Sequence, residues 1–317
     1  MSINILSSGR GLPKYVLTNE ELSKRVDTSD EWIRTRTGIS TRFICTTETL
    51  VDLAVAAAKN ALANANLSAT DIDYIICSTV SGDYLTPSLS CQVQKEIGAT
   101  CPSFDLNAAC SGFIYAIDTA SAFLQSGKAN KVLVISAEAM SKHIDWNDRA
   151  TCVLFGDGAG AVVLTKGDGL LAIKVTAKGN EQILNIGANF GNCPFAQGEQ
   201  KSRFLYMKGS EVYKFAVSAM CDDVLDVLKS AGLTVDDVDM IIPHQANKRI
   251  IEAAKARLGV GDEKIACAIE KYGNTSSASI PILLSELMEL NKLKKGNIIV
   301  LTAFGGGLTT GACVIKL

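Results

Sequence analysis

The stretch NANLSATDIDYIICST, residues 64–79, returns without a gap as SAGLTVDDVDMIIPHQ at 230–245, a shift of 166 positions. Ala65, Leu67, Asp71, Asp73, Ile75 and Ile76 stand over Ala231, Leu233, Asp237, Asp239, Ile241 and Ile242. At the same shift KVLVISA (131–137) lies over NIIVLTA (297–303), with Val132 on Ile298 and Val134 on Val300. A third patch, GAVVL (160–164), resembles GACVI (311–315) at a slightly different offset. Three patches in one order point to duplication. Such a chain must fold as two similar units, meeting around TKGDGLLAIK, which sets the expected halves at 1–170 and 171–317.

Each unit reads as α/β. Short apolar runs (YIICSTV, KVLVISA, CVLF, GAVVLT, MIIPH, NIIVLTA, ACVIKL) have strand character. Between them lie amphipathic segments, LVDLAVAAAKNALANAN, SGFIYAIDTASAFLQSG, EVYKFAVSAMCDDVLDVLKSAG and SIPILLSELMELNKL. Continuous apolar strands between helices imply parallel sheets covered on both faces. The opening MSINILSSGRGLPKYVL is broken by Gly and Pro and shows no leader pattern. No apolar run reaches bilayer length, so no membrane insertion is expected. A net charge of −2 supplies no basic excess for nucleic acid. Ten cysteines without CxxC pairing suit a reducing cytoplasm, and two histidines give no basis for a metal site.

The shift also locates chemistry. It lays Cys110, in AACSG, over Ser276, so both begin equivalent helices that should meet near the centre. His244 follows the strand DMIIP, at the carboxyl end where open α/β sheets bind ligands. Asn274 sits just ahead of the second helix start. A thiol at a helix N-terminus is drawn toward thiolate by the dipole, and its small neighbours leave room for an acyl group. A covalent thioester follows naturally. Taken singly, Cys110 reads as a core thiol, His244 as a satisfied structural residue and Asn274 as a helix cap. Their convergence favours catalysis. His143 is read as a loop residue. GDGAGA (156–161) is followed by a strand rather than a helix, which rules out a dinucleotide site. FGGGLTTG (304–311) lies between strands, and Gly306 could offer its N–H to an oxyanion or simply make a tight turn.

Together DTSDEWIRTRTGISTRFI (27–44), AACSGF, FGDGAGAVVL, PHQANKRI, YGNTSSASIP and FGGGLTTGA resemble the thiolase-fold condensing enzymes, specifically the β-ketoacyl-acyl-carrier-protein synthase III family. The resemblance implies a thiolase-like α/β fold of five layers, α-β-α-β-α. It implies that Cys110 accepts an acyl group from an acyl-CoA primer, and that His244 and Asn274 hold the thioester oxygen of malonyl-acyl carrier protein during decarboxylation. Phe304 would help expel the carboxylate and Gly306 would support the oxyanion. By the same match Trp32, Arg36, Arg149, Asn247 and Thr28 contact CoA. Gln245, Ala246, Asn247, Lys248, Arg249, Lys214, Lys255 and Arg257 form the carrier-protein docking face. No metal or cofactor is implied, since both thioesters are substrates, and a homodimer is expected. Thr310 replaces a tryptophan common in relatives, and SGDYLTPSLSCQVQ (81–94) is the variable region that lines the acyl pocket across the dimer. Both leave the primer open among acetyl, longer straight-chain and branched groups.

Two other readings use the same three residues. Cys–His–Asn in this order occurs in papain-like hydrolases, but the C-G-[SA]-C-[WY] signature is absent. An acyltransferase of secondary metabolism would keep the triad without decarboxylation. A carrier-binding module with no catalysis would have no need of all three.

Overall fold

The computed structural model describes residues 2–188, 195 and 202–317. One sheet has five strands in the order β1 (Ser2–Gly11), β7 (Asp157–Gly167), β6 (Lys131–Ala139), β4 (Tyr74–Ser78) and β5 (Ser103–Leu106). The other has four, in the order β8 (Leu170–Ala177), β13 (Thr309–Lys316), β12 (Ile298–Gly305) and β11 (Met240–Pro243). Strand for strand, β1-β7-β6-β4 repeats as β8-β13-β12-β11. The fifth place of the second sheet shrinks to a single parallel bridge between Ile241 and Ile265.

These sheets are mixed rather than wholly parallel. Only β4 with β5 and β6, and β11 with β12, run parallel, while β7 and β13 are antiparallel to both neighbours. The reason is that β6–β7 and β12–β13 are consecutive strands without a crossover helix.

Alternate strand residues face opposite ways, and here both ways are apolar. Leu133 and Ile135 pack outward with α3 (Leu50–Asn64) and α4 (Leu89–Ile97). Val132 and Val134 face inward, where α5 (Gly112–Gln125) and α10 (Ser279–Glu289) lie between the sheets. Ile114, Ile117 and Leu124 from α5 and Ile280 and Leu284 from α10 share one core with Leu301 and Cys313 of the second sheet. Outside that sheet, Val224 and Leu228 of α7 (Gly209–Ala231) and Ile251 of α8 (Lys248–Leu258) close the last layer. Five layers result. Fully burying each such Ile or Leu stabilises by about 1.5–3 kcal/mol, so the doubly covered helices α5 and α10 are firmly held.

Smaller elements cap one end of the layers. They are the hairpin β2 (Tyr15–Thr18) and β3 (Thr41–Ile44), helices α1 (Asn19–Leu22), α2 (Asp30–Thr37), α6 (Arg149–Cys152) and α9 (Ile269–Tyr272), and the hairpin β9 (Leu184–Ile186) and β10 (Leu205–Met207). Helix α2 starts at Ser29, whose side chain accepts from the Trp32 N–H, and stops at the left-handed Gly38.

Three local readings need correction. CVLF is not a strand, because Cys152 ends α6 and only Phe155 forms a bridge, to Asn274. The opening segment, broken by glycines in the sequence, is the ten-residue strand β1. Its Gly9 is required because α3 crosses there, and a Cβ would lie 2.3 Å from the Ala61 nitrogen. Finally, β4 pairs Tyr74 with Val132 whereas β11 pairs Met240 with Ile299, so the structural counterpart of Val132 is Ile299 and not Ile298. The second half has gained one residue between these strands.

Candidate active site

Cys110 lies in a 3-10 turn, Ala109–Ser111, that leads directly into α5. The equivalent turn, Ser276–Ala278, leads into α10. Each turn begins with a left-handed residue, Ala109 at φ 47° and Ser276 at φ 51°. The inserted residue therefore makes Ser277, and not Ser276, the counterpart of Cys110. The expected meeting of the two turns nevertheless occurs, with Cys110 Sγ 3.4 Å from Ser276 Oγ.

Cys110, His244 and Asn274 all open onto one cavity of about 1340 Å³. His244 follows β11 and is held by its N–H, which donates to Thr302 O at 2.8 Å. Its Nδ1 is 2.7 Å from Ser279 Oγ, and the Gln245 N–H donates to the same oxygen at 3.3 Å. Burial alone drives the imidazole down to about 3, so the ring stays neutral at physiological pH. The Phe304 ring stands edge-on to it, with centroids 5.3 Å apart, and is itself buried against Phe215. Asn274 is held on both backbone sides, donating to Leu154 O at 2.9 Å and accepting from Gly156 N at 3.0 Å. Its Oδ1 accepts from the Ser276 N–H at 2.8 Å, which leaves the amide N–H₂ as its free donor.

The thiol differs from expectation. Burial pushes Cys110 up to about 12, against the opposing hydrogen bond with Ser276 and with the Glu138 charge adding to the rise. Desolvation outweighs the helix terminus, so the resting group is a thiol. Burial also raises Cys45, Cys77, Cys152 and Cys313. Position in the cavity, rather than acidity, singles Cys110 out. Every described cysteine is a free thiol, and Cys193 lies outside the described residues.

Glu138 is the residue that sequence reasoning missed. It sits at the end of β6, fully buried, and its Oε2 accepts from Ser81 Oγ at 2.7 Å, Val80 N at 3.0 Å and Thr79 Oγ1 at 3.3 Å. Its Oε1 accepts from Ser277 Oγ at 2.8 Å and Ser276 Oγ at 3.2 Å. Burial raises its pKa while those bonds oppose the rise. A lone acid at the carboxyl end of an apolar strand, in KVLVISAEAM, was the available signal. The glycine requirement also shifts by one. A Cβ on Gly305 would lie 2.6 Å from the Cys110 nitrogen, whereas one on Gly306 would meet nothing closer than 3.6 Å. His143, read as a loop residue, lines the cavity, and burial lowers its pKa. Thr310 does not line it, but packs its Oγ1 2.7 Å from Thr176 Oγ1 on the adjacent strand.

Trp32, Arg36 and Arg149 do come together. The Arg149 guanidinium lies 5.0 Å from the Trp32 ring centroid and that of Arg36 lies 6.0 Å away. Thr28 Oγ1 nearby in sequence is buried without a partner. These residues lie outside the cavity lining, while Asn247 is at its rim. Asn247 also caps α8, its Oδ1 accepting from the Arg249 N–H at 2.9 Å.

The basic face is narrower than the sequence suggests. Gln245 is buried and spent internally, donating to Pro243 O at 2.7 Å and accepting from Ala268 N at 2.9 Å, so it offers a partner nothing. Ala246 lines the cavity. Lys255 is held between Glu252 and Asp262, and Arg257 is paired with Asp222 at 2.6 Å, so both charges are locally cancelled. Lys214, Lys248 and Arg249 are exposed, and Arg249 lies over Tyr213 at 5.9 Å.

Two matched mixed sheets around a shared helical layer make this a thiolase-like fold. The family described as 3-oxoacyl-[acyl-carrier-protein (ACP)] synthase III matches residues 104–179, and its C-terminal part matches 228–317. A β-ketoacyl-[acyl-carrier-protein] synthase III of Aquifex aeolicus is 48% identical over 320 residues, covering 100% of both chains. The crystal structure of 3-oxoacyl-[acyl-carrier-protein] synthase III from the same organism superposes with a TM-score of 0.93, covering 99% of this chain and 100% of that one. A Thermus thermophilus synthase III structure, 41% identical, gives 0.94 with 99% of each chain covered. The chain belongs to the 3-oxoacyl-[acyl-carrier-protein] synthase III family. No described helix is long and apolar enough to cross a membrane, and no three described His, Cys, Asp or Glu residues form a metal-holding group.

Proposed function

We propose that this chain catalyses the decarboxylative Claisen condensation of an acyl-CoA primer with malonyl-acyl carrier protein, starting fatty acid synthesis. The observation that carries the reading is one cavity holding a thiol beside two neutral hydrogen-bond donors. Cys110 attacks the primer thioester, CoA leaves, and an acyl-cysteine remains. Malonyl-carrier protein then enters. Loss of CO₂ builds negative charge on its thioester oxygen, where the His244 ring and the Asn274 amide donate. Each fixed donor at such a site contributes on the order of 10²–10³ in rate. His244 supports this role because burial keeps it neutral, so it gives a hydrogen bond without becoming a charge. Phe304 supports it by presenting a dry ring edge where the carboxylate departs. The enolate attacks the acyl-cysteine, and the Gly306 N–H assists at the oxyanion.

The primer is expected to arrive with its adenine on the Trp32–Arg149–Arg36 cluster and with Thr28 and Asn247 along the CoA path. The acidic carrier is expected to land on Lys214, Lys248 and Arg249. The reaction uses no metal or cofactor. Halves meeting at 170/171, a cytoplasmic setting and a homodimer complete the reading. Fully exposed Leu85 at the cavity rim and exposed Tyr84 beside it support the dimer, since apolar side chains of this size favour a partner surface. The test is incubation with acetyl-, butyryl- and isobutyryl-CoA and malonyl-carrier protein, read by intact mass. A β-ketoacyl-carrier protein is expected from at least one primer, and hydrolysis without elongation would overturn the reading.

A further inference from the structure

Glu138 plays no part in the steps above, yet a buried carboxylate with five neutral donors and no cation among them stands two hydrogen bonds from the reactive sulfur. Ser276 joins them. Its Oγ donates to Glu138 Oε1 at 3.2 Å and lies 3.4 Å from Cys110 Sγ, a pair in which either atom can donate. The contacts form one continuous path from sulfur to Ser276 and from Ser276 to Glu138.

We infer that Glu138, acting through Ser276, takes the Cys110 proton when the acyl group is loaded and returns it when condensation frees the sulfur. The inference rests on the acyl-cysteine reading. During loading, the sulfur forms its bond to the acyl carbon as the S–H proton passes to Ser276 Oγ and the Ser276 proton passes to Glu138. The thioester C–S bond breaks, and the CoA thiolate leaves and is protonated from water. The acyl-enzyme then holds a neutral Glu138–H. During condensation the enolate carbon bonds to the acyl carbon, the Cys110 C–S bond breaks, and the thiolate recovers its proton by the reverse path. No oxidant, reductant or further reactant is needed. The arrangement suits a thiol that burial keeps protonated at rest, because the acceptor is built into the same buried network.

The test is a proton count. In lightly buffered solution near pH 7, acetyl-, butyryl- or isobutyryl-CoA is mixed with the whole enzyme while an indicator dye records pH and intact mass records the adduct. Direct transfer of the thiol proton to CoA takes up no proton, whereas storage on Glu138 takes up about one per acyl-enzyme. Ser276→Ala should slow adduct formation by about 100-fold, the scale of general-base assistance, and reduce the uptake to zero. Ser277→Ala removes a stronger bond to the same carboxylate but not the link to sulfur, so the uptake should remain near one. A merely structural Glu138 would respond to both alike. Glu138→Gln should match Ser276→Ala, and a carboxylic-acid infrared band should appear on acylation in the wild type alone. An adduct formed with no proton uptake in the wild type overturns the relay while leaving the acyl-cysteine intact. No adduct with any primer overturns the acyl-cysteine reading itself, and the relay with it.

Discussion

Two turns at the heart of the molecule share one backbone and differ in nearly every side chain. Asn107 Oδ1 accepts from the Ala109 N–H at 3.1 Å, and Asn274 Oδ1 accepts from the Ser276 N–H at 2.8 Å. Left-handed Ala109 and Ser276 follow, then Cys110 opposite Ser277, then Gly112 opposite Ser279 at the helix starts. Their surroundings match as well. At the strand ends, Gly305 presses on the Cys110 turn where Glu138 bonds the Ser277 turn. Ser78 lies against Gly112, whose Cβ would meet its Oγ, just as His244 meets Ser279. The duplication supplies a symmetric frame, and chemistry arises where the copies diverge. One turn keeps the nucleophile in slender company, while the other carries the polar network around it.

The largest expected effect breaks the pair at its centre. Cys110→Ser should abolish the acyl adduct seen by intact mass, making the two turns alike and inert, and an unchanged adduct would refute the assignment. Next, Gly305→Ala should cut acylation by about 100-fold, because its Cβ would be forced 2.6 Å from the Cys110 nitrogen and small displacements at a reacting centre cost that much. Gly306→Ala, with its nearest neighbours at 3.6 Å, should remain close to wild type. Equal losses in both would remove the distinction.

A pH series sharpens the other side. His244 has a folded value of about 3, below the ordinary imidazole value of 6.5, so on acidification the unfolded chain is protonated first. Its contribution is fully present above about 6.5 and is lost as pH falls from there toward the folded value, at about 1.4 kcal/mol per pH unit. Urea unfolding of His244→Gln should show a pH dependence flatter by about that slope between pH 6 and 5. An identical slope would mean that the imidazole is not buried neutral. The smallest effect is on the surface. Arg249→Glu should lower turnover of malonyl-carrier protein several-fold at low salt while sparing CoA transacylation. Arg257→Gln, which removes a cation already paired with Asp222, should do much less.

The sequence made one part of this plain and obscured another, for physical reasons. The repeat, the helices of the middle layer and the trio Cys110, His244 and Asn274 were legible because apolar periodicity and strand-end position leave direct marks. The pairing of the turns was misread by one residue, since an insertion between the patches is invisible where Val132 fits Ile298 and Ile299 equally well. Glu138 passed unnoticed because a single acid closing an apolar strand resembles a strand terminus. Lys255 and Arg257 looked available because partners such as Asp262 and Asp222 are brought to them only by loops and neighbouring helices. Strand β1 was hidden by Gly9 and Gly11, which serve helix packing rather than a turn.

The division of labour between the turns is tested most directly in Asn274→Ala, by following adduct mass on acyl-CoA and labelled CO₂ release from malonyl-carrier protein in one preparation. Loading of Cys110 should continue at near the wild-type rate, while CO₂ release falls by about 10²–10³, as expected for a lost oxyanion donor. CO₂ release at the wild-type rate, or loss of loading in equal measure, would contradict the account.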